Sequence, residues 1–128
     1  MIRYSANITI MIRAARKASK YIVRDFLELE QLQVSVKGQN DFVTNVDIKV
    51  QEIIHSELNK ARTDYGFIME EGQSEKLDAE NIWIIDPIDG TINFMHGLPY
   101  FAISIGLRIK QKMAAGIVYN PILNELYW

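Results

Sequence analysis

The sequence predicts an α+β fold in which two N-terminal helices pack on a mostly antiparallel sheet. Three observations carry this. Apolar residues recur at three- and four-residue steps in two early stretches, first Ile8, Met11, Ala15, Ala18, Ile22 and Phe26, then Val46, Val50, Ile53, Ile54 and Leu58. From Phe67 onward the apolar runs become short and are bounded by turn residues, the pattern of strands. The connections at Lys110-Gln111-Lys112 and Asn120-Pro121-Ile122-Leu123-Asn124 are short enough to join antiparallel neighbours.

Taken in order, Ser5 is placed to cap a helix that runs to about Glu30. Its outer face collects Arg13, Arg16, Lys17, Lys20 and Arg24, a solvated surface rather than a targeting peptide, because the apolar run Ile8 to Ile12 is brief and contains Thr9. Gln31 to Asn40 reads as a polar connection with a short extended piece at Val34 to Lys37. A second extended segment, from Asp41, leads to Thr44 or Asn45 as the cap of a second helix ending near Ala61. That start places Asp47 in the first turn, where a carboxylate complements the helix dipole. His55 reads as a surface residue of this helix. Phe67-Ile68-Met69 is a strand ending in Glu70-Glu71-Gly72, and Gln73 to Asn81 is a charged loop. Ile82 to Ile85 has the unbroken apolar character of a strand buried on both faces. Phe101 to Leu107, Met113 to Tyr119 and Leu126 to Trp128 complete the strands.

The totals narrow the function. A chain of 128 residues with 48% hydrophobic and 23% charged residues suits one soluble domain with a real core. A net charge of -2 argues against a general nucleic-acid binder. The absence of cysteine excludes a disulfide framework and a thiolate metal site, and fits a reducing cytoplasm. No apolar run approaches the ~20 residues needed to span a bilayer.

The chemistry concentrates at Asp86-Pro87-Ile88-Asp89-Gly90-Thr91-Ile92-Asn93-Phe94. Pro87 is expected to end the strand at Asp86. Asp86 and Asp89 then stand three residues apart on a tight turn, Gly90 lets the backbone approach a ligand, and Thr91 and Asn93 suit the opening of a short helix. Acidic oxygens beside outward N–H groups suit a divalent cation together with a phosphate. The same residues also suit an ordinary turn, and acids elsewhere in the chain must decide between the two.

These residues resemble the inositol monophosphatase family of magnesium-dependent, lithium-sensitive phosphatases. The family's Asp-Pro-apolar-Asp-Gly-Thr-x-Asn-Phe signature is matched without a gap from Asp86 to Phe94. Its Asp-apolar-Val-Thr-x-x-Asp element is matched from Asp41 to Asp47, and its Glu-Glu pair by Glu70-Glu71, in the family's order. His96-Gly97-Leu98-Pro99 and Phe101-Ala102 also look like the family, most closely its bacterial extragenic-suppressor type. Met69 departs from the pattern, since many members carry a small residue there.

The resemblance implies that residues 1–128 form a single domain, the N-terminal half of such a phosphatase and the N-terminal part of the layered α/β sugar-phosphatase fold. The C-terminal half, with a further metal-binding aspartate in a Trp-Asp context, would be absent, leaving this stretch inactive by itself. Glu70, Asp86 and the carbonyl of Ile88 would hold a first Mg²⁺, and Asp86 with Asp89 a second. Asp47 and Thr91, hydrogen-bonded to each other, would orient and deprotonate the attacking water. The N–H groups of Gly90 and Thr91, with Glu70 alongside, would meet the substrate. Lys37 and Asn93 would support the site, and His96, with no second ligand at metal spacing, would be structural. The implied reaction is hydrolysis of myo-inositol monophosphate by a cytoplasmic homodimer with no membrane association. The alternatives are a related phosphatase of a sugar bisphosphate or nucleotide 3′-phosphate, and a regulatory protein with an RNA- or transcription-linked partner.

Overall fold

The computed structural model describes residues 4–31 and 36–128, with the backbone alone at residues 30, 31 and 36–40. Helix α1 spans Ala6–Gln31. Its start is capped as the sequence predicts: Ser5 Oγ accepts the Ile8 N–H at 3.2 Å. Met11, Ala15, Ala18, Ile22 and Phe26 are buried along one stripe, while Arg13, Arg16, Lys17, Lys20 and Arg24 are exposed. Lys17 bridges to Glu57 on the second helix.

That second helix, α2, spans Val36–Ala61 and corrects the expected start at Thr44 or Asn45. Asp41 to Val43 is helical rather than extended, so Asp47 lies well inside α2 instead of in its first turn. The reason is packing. Val43 is buried with Val46, Val50, Ile54 and Leu58, which continues the helical stripe back by one turn and outweighs the β preference of a Val-Thr pair. Val34 lies outside the described residues, and so does the side chain of Lys37.

The sheet contains β1 (Gly66–Met69), β2 (Asn81–Asp89), β3 (Ala102–Ile109), β4 (Lys112–Asn120) and β5 (Glu125–Tyr127), in that spatial order. Only β1 and β2 are parallel, and the other three pairings are antiparallel. The loop from β1 doubles back along its free edge, where Glu75 and Phe67 exchange backbone hydrogen bonds of 2.8 and 2.9 Å. That pairing protects an edge otherwise open to other strands. Lys110 and Gln111, both with positive φ, make the two-residue turn between β3 and β4.

Helices α1 and α2 cover one face of the sheet. Trp83, Ile85, Ile103, Ile105, Leu107, Ile117 and Tyr119 point to that side and are all buried. Each large apolar side chain withdrawn from water this way contributes about 1.5–3 kcal/mol. On the other face Val118 and Tyr127 are exposed. Accordingly β2 is only partly the doubly buried strand expected, with Ile84 half-exposed between buried neighbours.

A second correction concerns the end of β2. The strand does not stop at Asp86 but continues through Pro87 to Asp89. Its pairing slips from Asp86↔Ser104 to Asp89↔Ala102, so one extra residue is accommodated as a bulge. A bulge leaves a backbone position unpaired, which is where a proline, lacking an N–H, can sit within a strand. The short helix α3 (Thr91–Met95) follows, as the sequence predicts.

Candidate active site

The parallel register Met69↔Ile85 sets Glu70, just past the end of β1, beside Asp86 within β2. Their carboxyl groups lie within reach of each other. Asp47 comes from α2, is 5% exposed, and lies close enough for the charges of Glu71 and Asp86 to act on it. Asp89 follows the bulge at the end of β2. It is exposed and lines a cavity of about 590 Å³ with Gly90, Tyr100, Asn120 and Tyr127.

Gly90 is the hinge of the arrangement. Its φ of 93° is left-handed, and a Cβ there would stand 2.9 Å from the Tyr100 carbonyl oxygen. Both conditions exclude a larger residue. As N-cap of α3, Gly90 supplies no side-chain cap. The Thr91 hydroxyl donates to the carbonyl of Ile88 at 3.1 Å. This corrects the expected bond to Asp47, whose Oδ1 is buried with no hydrogen-bond partner. A partner three residues back in the same turn is the nearer one. The Ile88 carbonyl keeps a second lone pair.

Asn93 donates from Nδ2 to the Tyr100 carbonyl at 2.8 Å. Phe94 anchors α3 below: its ring stands 5.7 Å from Phe26 and 5.1 Å from Phe101, and it is fully buried. His96 is exposed, with its backbone closing the end of α3.

The electrostatics are those of acids forced together. Burial first, then the charges of Glu71 and Asp86, push the Asp47 carboxyl up to about 7. Glu70 also rises to about 7, through its hydrogen bond with Asp86, then burial, then the charges of Asp86, Asp47 and Glu71. Among the described residues, no three His, Cys, Asp or Glu side chains are gathered closely enough to hold an ion. The donor chemistry nevertheless fits a hard divalent cation. Asp47 Oδ1 and Asp86 Oδ1 are both buried without partners, and the surrounding carboxylates repel one another.

Two neighbours escaped sequence reasoning. Gln51, 7% exposed on α2, donates from Nε2 to the Glu71 carbonyl at 2.6 Å and accepts the Glu71 N–H at 3.0 Å. His55 is half-buried rather than a plain surface residue. Its ring centroid lies 4.2 Å from that of Phe67, and Nε2 stands 2.7 Å from Glu75 Oε1. The available signal was spacing: Asp47, Gln51 and His55 are four residues apart and share one helix face.

By fold and donor set, the chain is of the class that carries an acidic, oxygen-rich site where a parallel strand pair ends. Residues 4–128 match the model of the inositol monophosphatase family, and the chain belongs to that family. It is 50% identical over 124 residues to an inositol-1-monophosphatase of Mesorhizobium japonicum, covering 96% of this chain and 47% of the relative. It is 44% identical over 121 residues to Nus factor SuhB of Pasteurella multocida, covering 94% and 45%. The fold is similar to the crystal structure of the extragenic suppressor protein SuhB from Bartonella henselae, with a TM-score of 0.82 and 43% identity over 95% of this chain and 47% of that one. The chain therefore spans about half the length of the curated relatives it matches.

Proposed function

We propose that the protein supplies metal-binding and catalytic groups of a Mg²⁺-dependent phosphomonoesterase that hydrolyses myo-inositol monophosphate to inositol and phosphate. The observation that carries this reading is the pair of orphaned buried oxygens, Asp47 Oδ1 and Asp86 Oδ1, on acids within electrostatic reach of each other and of Glu70. Membership of the family and the name of the Mesorhizobium japonicum relative support the substrate class.

Glu70, Asp86 and the Ile88 carbonyl would hold one divalent ion, and Asp86 with Asp89 a second. Bound there, such ions neutralise phosphoryl oxygens and acidify an attacking water. The Thr91 hydroxyl has its proton committed to Ile88, so its oxygen is left as an acceptor that orients this water. Asp47, buried with an unpartnered Oδ1, takes up the proton. The N–H groups of Gly90 and Thr91 hold phosphate oxygens, with Glu70 bordering them. Asn93 keeps that turn in place through Tyr100.

The test is Mg²⁺-dependent phosphate release from inositol 1-phosphate by the full-length protein, with Li⁺ as inhibitor. A sugar bisphosphate and a nucleoside 3′-phosphate serve as competing substrates. Faster turnover of either competitor reassigns the substrate, and no Mg²⁺-dependent release from any of them overturns the reading. A second role, through a transcription-related protein partner, is supported by the Nus factor name of the Pasteurella multocida relative. The exposed Arg13, Arg16 and Lys20 on α1 offer the surface to test by charge reversal in a pull-down. Unchanged partner recovery would rule that face out.

A further inference from the structure

Glu70 reaches Asp86 only if the chain leaving β1 is held in place, and α2 holds it. Asp47, Gln51 and His55 lie at four-residue steps on one face of α2 and meet successive points of the segment from Glu70 to Glu75. His55 pairs with the Glu75 side chain, and the Glu75 backbone pairs with Phe67. The Met69 N–H donates to Ser74 Oγ at 3.3 Å. These contacts close the far end of the turn and leave its near end, Glu70-Glu71, to Gln51.

At that near end the carboxamide of Gln51 acts as a substitute strand neighbour. Its planar donor and acceptor take the carbonyl and N–H of the single residue Glu71, at 2.6 and 3.0 Å. Because both bonds go to one residue, they fix the position and the orientation of the peptide that follows Glu70. Glu71 lies close enough to Asp47 for its charge to act there, so the turn brings acids together that the clamp holds in register. Gln51 is 7% exposed, so water competes weakly for these bonds.

We infer that Gln51 is a positioning residue: its two hydrogen bonds to Glu71 hold the β1 exit and so aim Glu70 at the cation site beside Asp86. This rests on the cation-dependent reading above and adds a residue that contacts neither the ion nor the substrate. Groups that orient metal ligands from behind are worth about 10- to 100-fold in metal affinity.

The experiment measures Mg²⁺ binding by isothermal titration calorimetry in the full-length protein. Gln51→Met keeps the side-chain length and removes both bonds. Gln51→Asn keeps the amide but withdraws it by one methylene. Ile54→Val, in the buried core one turn away, is the control for a purely structural loss. Both Gln51 variants are expected to bind Mg²⁺ roughly tenfold more weakly. Their melting temperatures in excess chelator should fall no further than that of the control, and the Glu71 amide should exchange faster with deuterated solvent. Wild-type Mg²⁺ affinity in both variants overturns the proposal, as does an equal affinity loss in Ile54→Val. A wild type that binds Mg²⁺ but hydrolyses no phosphomonoester removes the function proposed above, and the Gln51 comparison still stands on the binding data. A wild type that binds no Mg²⁺ removes both.

Discussion

Asp47→Asn should make the cation-free protein more stable while disabling it. In the folded chain the Asp47 carboxyl is pushed from 3.8 up to about 7, chiefly by burial and then by Glu71 and Asp86. The folded state therefore prefers the protonated acid, whereas the unfolded chain ionises near the lower value. Wild-type stability is accordingly undiminished below the unfolded value, falls as pH rises toward about 7, and stays at the lower level above it. The interval corresponds to roughly three powers of ten in proton affinity, or about 4 kcal/mol at 1.36 kcal/mol for each. Water reaching the rim of the site screens part of this, so about 2 kcal/mol is the expected size. Urea denaturation of both proteins in EDTA, followed by circular dichroism at about pH 8 and about pH 4, reads the effect. The gain of Asp47→Asn over wild type should be about 2 kcal/mol larger at the higher pH. Any cost of placing an amide at this position is present at both pH values and cancels in the difference. Equal differences at the two pH values, or a larger loss at the higher one, would refute the reasoning.

Further outcomes follow from the same geometry. Asp86→Asn should abolish Mg²⁺-dependent hydrolysis in the full-length protein while leaving its circular dichroism unchanged, and near-wild-type turnover would remove Asp86 from the metal site. Asp89 is exposed and is proposed to share the second ion with Asp86, so Asp89→Asn should raise the Mg²⁺ concentration for half-maximal activity and leave stability within about 0.5 kcal/mol. Gly90→Ala meets both a left-handed backbone and a carbonyl oxygen 2.9 Å from the new Cβ. A loss of about 2–4 kcal/mol in urea denaturation is expected, with activity falling further than the unfolded fraction accounts for.

The legible parts of the fold were those set by local pattern. The stripe from Ile8 to Phe26 and the Ser5 cap identify α1, and both are where the spacing places them. The start of α2 was not legible, because Asp41 to Val43 suits a strand by propensity and becomes helical only when Val43 finds the core beneath it. Pro87 has the ordinary habit of ending a strand, yet the sheet absorbs it in a bulge. His55 looked like a surface residue because Phe67 and Glu75, its partners, come to it only through the fold.

For the site, the order and chemistry of residues already determined that acids and an open turn would be available: Asp47, Glu70-Glu71 and Asp86 to Phe94 are recognisable without coordinates. Short-range rules suffice there, because a turn built on Gly90 and a signature of consecutive residues are properties of neighbours along the chain. Only the tertiary structure decided which of those groups meet. The parallel register of β1 and β2 pairs Glu70 with Asp86, and the continued α2 brings Asp47 behind them. The Thr91 hydroxyl is directed to Ile88, and Gln51 ties down Glu71. Contacts between residues twenty apart depend on how elements dock, and docking is set by burial of the whole core rather than by any local run of sequence.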